Sequence, residues 1–296
     1  MPLWSAEVAV DEGLARRLLG QFPELSLESL HPLAEGWDNA VWVVDDRFAF
    51  RFPRRQVAIP GVELELGLLP KLAPLLPLPI PDPIFHGRPA EGYPWPFFGS
   101  ELLPGRETCE AELDDEARLE IALQLASFLR ALHDLDPDER LPADANFRAD
   151  MTRRVPMARE QLGELDSLGV WRAAPDVERI LETAERLPPA ELPAVVHGDL
   201  HFRHVLVQAR RVTGVIDWGD LCRSDPAIDL QLLWSFLPPA ARPAFLDAYG
   251  PVSEEQLLRA RVLALSLCSA LALYAHAESL PSVKREALEG LARASR

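Results

Sequence analysis

The residues best suited to chemistry lie in one stretch, Val195-Val196-His197-Gly198-Asp199-Leu200-His201-Phe202-Arg203-His204-Val205-Leu206-Val207. Apolar runs enter and leave it, and an acid and three histidines stand between them. Ten residues beyond Val207 comes Asp217, within Val215-Ile216-Asp217-Trp218-Gly219-Asp220, a second β-branched run ending in an acid. Two short strands joined by a tight return would deliver both carboxylates to the same end. Carboxylate oxygens beside a histidine or amide suit Mg²⁺ or Mn²⁺, and an acid held just upstream can act as base toward a hydroxyl. These are the parts of a phosphoryl-transfer site, in which one acid orients the nucleophile and another holds the metal on the phosphates. A second chemistry is open to the same residues. His197, Asp199, His201 and His204 have the histidine-rich spacing of a zinc-type metal-dependent hydrolase.

The elements that must position this stretch change character at Pro104-Gly105, which reads as a hinge. Before it, Val8 to Leu19 has helical spacing. Leu30 to Leu33, Ala40 to Val44 and Phe48 to Phe52 read as antiparallel strands, joined by Glu35-Gly36-Trp37-Asp38-Asn39 and by Asp45-Asp46. A helix is expected over Val62 to Ala73, interrupted by Pro70, and Pro74 to Pro83 should run extended. Ile84 to His86 and Phe97 to Leu103 are the remaining strands. Beyond the hinge the pattern is helical, beginning with a helix from Leu113 through Leu132 toward His133, a packing or capping residue. Asp144 to Gly169 carries helical patches. Val177 to Leu187, a run opened by Asp225-Pro226, Ala241 to Tyr249, Glu254 to Ala277 and Ser282 to Ala294 are helical too. The chain is therefore expected to be α+β, with domains 1–103 and 104–296.

Neither GxxxxGK[ST] nor GxGxxG occurs. Given the paired acids downstream, the first turn is nonetheless expected to place backbone N–H groups of Trp37 to Asn39 on phosphate, with Gly36 and Asn39 as contacts.

His197-Gly198-Asp199-Leu200-His201, followed by Ile216-Asp217-Trp218-Gly219-Asp220 and Asp225-Pro226-Ala227-Ile228-Asp229-Leu230, resembles the aminoglycoside phosphotransferase family. That family's fold is similar to that of protein kinases, with a small antiparallel sheet lobe and a larger, mainly helical lobe. The resemblance implies transfer of the γ-phosphoryl group of ATP to a hydroxyl, with Asp199 as catalytic base and Asp217 as metal ligand. His204 stands where most members carry a metal-binding Asn; macrolide phosphotransferases are similar to this chain in having His there. Mg²⁺, with Mn²⁺ as an alternative, is the implied metal. Arg51 takes the place of the third-strand lysine of kinases, and Glu65, with Glu63 as alternative, is its implied partner. The backbone of Glu101 to Leu103 is implied to pair with the nucleotide base. Asp229 is implied to accept hydrogen bonds from the catalytic-loop backbone, and 144–169 to shape the acceptor pocket. Aminoglycoside, macrolide and metabolite hydroxyls all remain open as acceptors.

Composition bounds the rest. The 296 residues, 48% hydrophobic and 26% charged, suit a folded globular chain with ample core. A net charge of −16 argues against nucleic acid or an anionic membrane as partner and permits a cationic small molecule. Cys109, Cys222 and Cys268 are far apart and lack metal-ligand spacing, as expected of a reduced cytoplasmic protein. The start, Met1-Pro2-Leu3-Trp4, lacks a basic, apolar signal pattern. Val262 to Ala275, the longest apolar run, is too short for a bilayer and reads as a buried helix.

Overall fold

In the computed structural model, which describes residues 6–36, 38–90 and 92–296, the chain divides into two compact units, Met1–Leu103 and Pro104–Arg296. In the first unit, α1 (Glu12–Leu19) precedes β1 (Leu30–Glu35), β2 (Asn39–Val44) and β3 (Phe48–Pro53). Then come α2 (Ile59–Leu72), β4 (Phe85–Gly87) and β5 (Phe97–Glu101). The five strands form one antiparallel sheet in the order β1-β2-β3-β5-β4.

Local chemistry explains the element ends. Helix α1 starts at Glu12 and not Val8, because the Asp11 carboxylate accepts from Leu14 N at 2.8 Å and caps the first turn. Asp45 and Asp46 both adopt positive φ, 54° and 50°, the left-handed turn that matches the twist of the β2–β3 hairpin. Pro70 does not interrupt α2. It falls in the last turn, where few helical hydrogen bonds remain to lose, and Ala73 N still donates to Leu69 O. The last strand ends at Glu101, two residues short of the expected Leu103. Phe50, Phe52 and Phe97 are fully buried, with Phe52 and Phe97 stacked at 4.8 Å. Each such ring contributes about 1.5–3 kcal/mol through burial. Strand β1 lies at the sheet margin. It is exposed from His31 to Glu35, contains Pro32, and its register slips between Pro32 and Ala34.

The second unit holds β6 (Arg106–Glu107), α3 (Asp115–His133), α4 (Met151–Ser167), α5 (Pro175–Ala184) and β7 (Ala194–Val196). They are followed by β8 (Val205–Gln208), β9 (Arg211–Val215), β10 (Cys222–Ser224), α6 (Ala227–Leu230), α7 (Leu232–Ser235), α8 (Arg242–Tyr249), α9 (Glu254–Ala277) and α10 (Pro281–Ala294). Small sheets β6-β8-β9 and β10-β7 lie among the helices. Strands β8 and β9 are joined by the tight return expected, with Ala209 and Arg210 at φ 48° and 62°.

Helix α9 spans Glu254–Ala277 as expected, and its 24 residues are long and apolar enough by length and composition to cross a membrane. Its face through Val262, Leu265, Ser269 and Ala272 is buried, and α4 and α10 pack on it. A Ser253–Gln256 capping box fixes its start. A buried network, Arg118 to Glu286 at 2.7 Å and Glu286 to Arg293 at 2.9 Å, ties α3 to α10.

Candidate active site

Strand β7 leads the chain into the loop 197–204, and β8 leads it out. The loop's sharp entry is set by Gly198, at φ 90°; a Cβ there would lie 2.1 Å from the Asp220 carbonyl oxygen. Only glycine allows the two segments to come this close. Asp229 anchors the same entry from beneath. Its carboxylate accepts from His197 N at 2.8 Å and Gly198 N at 3.2 Å, and His133 Nε2 lies at 3.1 Å. Burial alone would raise the pKa of Asp229, but the His133 and backbone donors hold it below the ordinary value. Asp229 thus occupies the structural place expected of it. His133 is its buried support, with Tyr249 Oη 2.8 Å from its Nδ1.

The loop turns Asp199, His201 and His204 toward one point, with one ligand atom from each within 4.8 Å of the others. Partners assign the tautomers. Asp199 N donates to His197 Nδ1 at 3.3 Å, so His197 Nε2 carries the proton given to the Ile216 carbonyl at 3.0 Å. Burial drives the pKa of His197 down to about 4 and keeps it neutral. Both its nitrogens are taken up by backbone groups, Asp199 N and the Ile216 carbonyl, so the four-residue hydrolase cluster loses His197. Arg203 N donates to His201 Nδ1 at 3.2 Å, which leaves Nε2–H facing Asp199 Oδ2 at 3.8 Å. Burial, then the neighbouring His204 and Arg203 side chains, push His201 well below its usual range.

His204 differs. Its Nδ1 donates to the Asp199 carbonyl at 2.7 Å, so neutral His204 presents the Nε2 lone pair, 3.4 Å from Asp217 Oδ2. A ring N–H fixed by a backbone carbonyl is the usual support of a metal-binding imidazole. Two lone-pair donors at this spacing fit a divalent cation. Asp217 stands directly after Ile216, whose N donates to His204 O at 2.9 Å, and adopts φ 66°. A non-glycine residue in that region is uncommon and often marks a functional position.

Burial raises Asp199 to about 6, with Asp220 and Asp217 adding to the rise and His204 and Arg148 opposing it. Its side chain remains 37% exposed. A carboxylate so placed can reach a hydroxyl and is basic enough to hold its proton.

Three neighbours were not read from the sequence. Arg148 pairs with Asp144 at 2.9 Å and, more closely, with Asp220. Burial alone would lower the Arg148 pKa, but these carboxylates raise it. Arg148 and Asp220 are 72 residues apart, and no spacing rule connects them.

In the first unit, Arg51 and Glu65 form the expected pair at 3.0 Å, with Glu65 fully buried. Glu63 is not the partner. Gly36 N donates to Asn39 O at 2.9 Å, and Arg54 Nη1 donates to Gly36 O at 2.6 Å. Trp37 lies outside the described residues. Glu101 ends β5 with its side chain exposed and 3.7 Å from Arg47, and Leu103 is half-buried beyond the strand.

The chain is similar to known phosphotransferases. An aminoglycoside 3'-phosphotransferase from Escherichia coli is 29% identical over 141 residues, which are 46% of this chain and 52% of that protein. The match thus spans about half the length of that curated relative. Among solved structures, the GDP and kanamycin complex of APH(2")-IIia superposes with a TM-score of 0.71 at 24% identity, covering 96% of this chain and 98% of that one. The macrolide 2'-phosphotransferase of Brachybacterium faecium superposes with a TM-score of 0.63 at 22% identity, covering 95% and 98%. These likenesses are of fold: α+β and kinase-like, with a small antiparallel sheet lobe and a mainly helical one. Nothing among them supports a hydrolase. The model of the phosphotransferase enzyme family matches residues 29–263, and the chain belongs to that family.

Proposed function

We propose that this chain is a kinase that transfers the γ-phosphoryl group of ATP to a hydroxyl of a small-molecule acceptor. The observation that carries the reading is the Asp199 carboxylate, raised to about 6, beside the His204–Asp217 pair. Asp199 orients the acceptor hydroxyl and takes its proton as the phosphoryl group departs. His204 and Asp217 would hold Mg²⁺ or Mn²⁺, which would neutralise phosphate charge. Arg51, oriented by Glu65, steadies the phosphates, and the backbone around Gly36 and Asn39 contacts them. The Glu101–Leu103 backbone meets the base. Positioning and electrostatics supply most of the catalysis in such transfers. Asp229 and His133 contribute by fixing the backbone from which Asp199 projects.

Release of ADP from ATP and Mg²⁺, dependent on a hydroxylated acceptor, tests the proposal. Asp199→Asn should abolish transfer while a fluorescent ATP analogue still binds. Near-normal turnover in that variant would remove Asp199 from the chemistry.

A further inference from the structure

The segment 144–154 touches the Asp199 loop through Asp220 and carries groups that this contact does not use. Arg148 is saturated, with Asp144 on one side and Asp220 on the other. Asn146 Nδ2 donates to Asp220 Oδ1 at 3.4 Å. The neighbouring Phe147 is 49% exposed and held at φ 48°, a costly conformation for a bulky side chain. The guanidinium of Arg153 lies 3.9 Å from its ring centroid.

Arg154 is the contrasting group. Its Nη2 donates to Asn146 O at 3.1 Å and its Nη1 to the Met157 thioether at 3.4 Å. Its Nε is buried without a hydrogen-bond partner, and no carboxylate among the described residues lies within ion-pair distance of it. Burial, then the charge of Arg148, lowers its pKa, with the more distant Asp144 carboxylate opposing only in part. A half-buried guanidinium with donors to spare recognises an oxyanion by fork geometry. An ammonium group brought against this guanidinium would meet like charge, because Asp144 and Asp220 are already paired with Arg148 and Asp150 with Arg153. The exposed ring of Phe147, backed by Arg153, adds an apolar face beside it.

Building on the proposed kinase activity, we infer that Arg154, with Phe147, recognises the phosphoryl acceptor, and that this acceptor is a hydroxylated oxyanion, a carboxylate or a phosphate ester. The net charge of −16 permits a cationic acceptor; the local charge at Arg154 selects against one.

The test uses the full chain with ATP and Mg²⁺, and ADP release with gluconate, glycerol 3-phosphate, glycerol and kanamycin. One of the two oxyanions should exceed glycerol and kanamycin in kcat/KM by about tenfold or more, as expected for one charge-assisted contact. The better of the two names the anion. Arg154→Ala should raise the KM for that acceptor about tenfold, with kcat and the KM for ATP within about threefold. Arg154→Lys should recover part of the loss, and Arg154→Glu should shift preference toward kanamycin. Preference of the unaltered protein for kanamycin, oxyanion rates no better than glycerol, or an oxyanion KM indifferent to Arg154→Ala would each overturn the inference. Binding of a fluorescent ATP analogue separates the two levels: nucleotide bound without oxyanion turnover removes this inference alone, whereas no nucleotide binding removes the kinase reading beneath it.

Discussion

The backbone N–H of His197 donates to Oδ2 of Asp229 at 2.8 Å, across 32 residues of sequence and inside the core. One carboxylate thereby fixes where the strand ends and the loop begins. It also accepts from Gly198 N and lies 3.1 Å from His133 Nε2, so its removal strands three buried groups.

Asp229→Ala should therefore destabilise the second unit by about 3–5 kcal/mol, the cost of breaking a buried charged network. Asp229→Asn should be milder, because an amide oxygen still accepts one of the two backbone donors. Urea unfolding midpoints of the three proteins check this. Equal midpoints would mean that the loop is held by something else.

His197 makes stability pH-dependent. In the unfolded chain it takes a proton near its ordinary value of 6.5; in the folded protein it does so only near 4. Its contribution is present above 6.5 and is lost as the pH falls toward 4, by up to about 3 kcal/mol. His201, also depressed, acts in the same direction, whereas Asp199, raised to about 6, acts in the opposite one. The difference between the protein and His197→Gln isolates the effect. The variant should lose less stability than the unaltered protein between pH 7.5 and 4.5, measured by urea unfolding.

Arg51→Ala should raise the KM for ATP about tenfold and also lower the stability of the first unit by about 2–4 kcal/mol, because Glu65 is buried. Arg51→Lys should restore much of the stability and part of the nucleotide affinity, since lysine keeps the charge but not the fork. Kinetics with varied ATP, run beside thermal unfolding, separate the two effects. An unchanged KM for ATP with lost acceptor affinity would place Arg51 elsewhere.

His204→Asn should keep Mg²⁺-dependent turnover within about tenfold and lower the ratio of Mn²⁺ to Mg²⁺ activity. The amide offers a hard oxygen in place of an imidazole nitrogen, which favours the harder ion. Rates with each metal, at saturating concentration, check this. An unaltered metal preference would confine His204 to supporting the Asp199 carbonyl.

What could be read in the sequence follows from how far apart the partners lie and how local their cause is. The β8–β9 return, the two acids and the Arg51–Glu65 pair are written in short-range patterns, strand alternation, turn residues and motif spacing. The Arg148–Asp220 contact is not, since packing alone brings α4's approach to the loop. For His197 the spacing left two readings open, because it does not by itself distinguish a buried hydrogen-bonding ring from a ligand. Pro70 misled for a physical reason: proline breaks helices in their interior, and the position of the helix end was not visible. Val8 was included in α1 on its apolar periodicity, where the Asp11 cap decides the start.

The margin of the five-stranded sheet has a consequence for how this protein behaves when crowded. Strand β1, exposed from His31 to Glu35, would offer unpaired backbone groups to any passing strand. Pro32 removes one donor, and the slip between Pro32 and Ala34 breaks the even spacing that a docking strand needs. The opposite margin, β4, is only three residues long. Both ends of the sheet are thus poor templates for strand addition, and replacing Pro32 with a β-branched residue should make the chain more prone to self-association in concentrated solution.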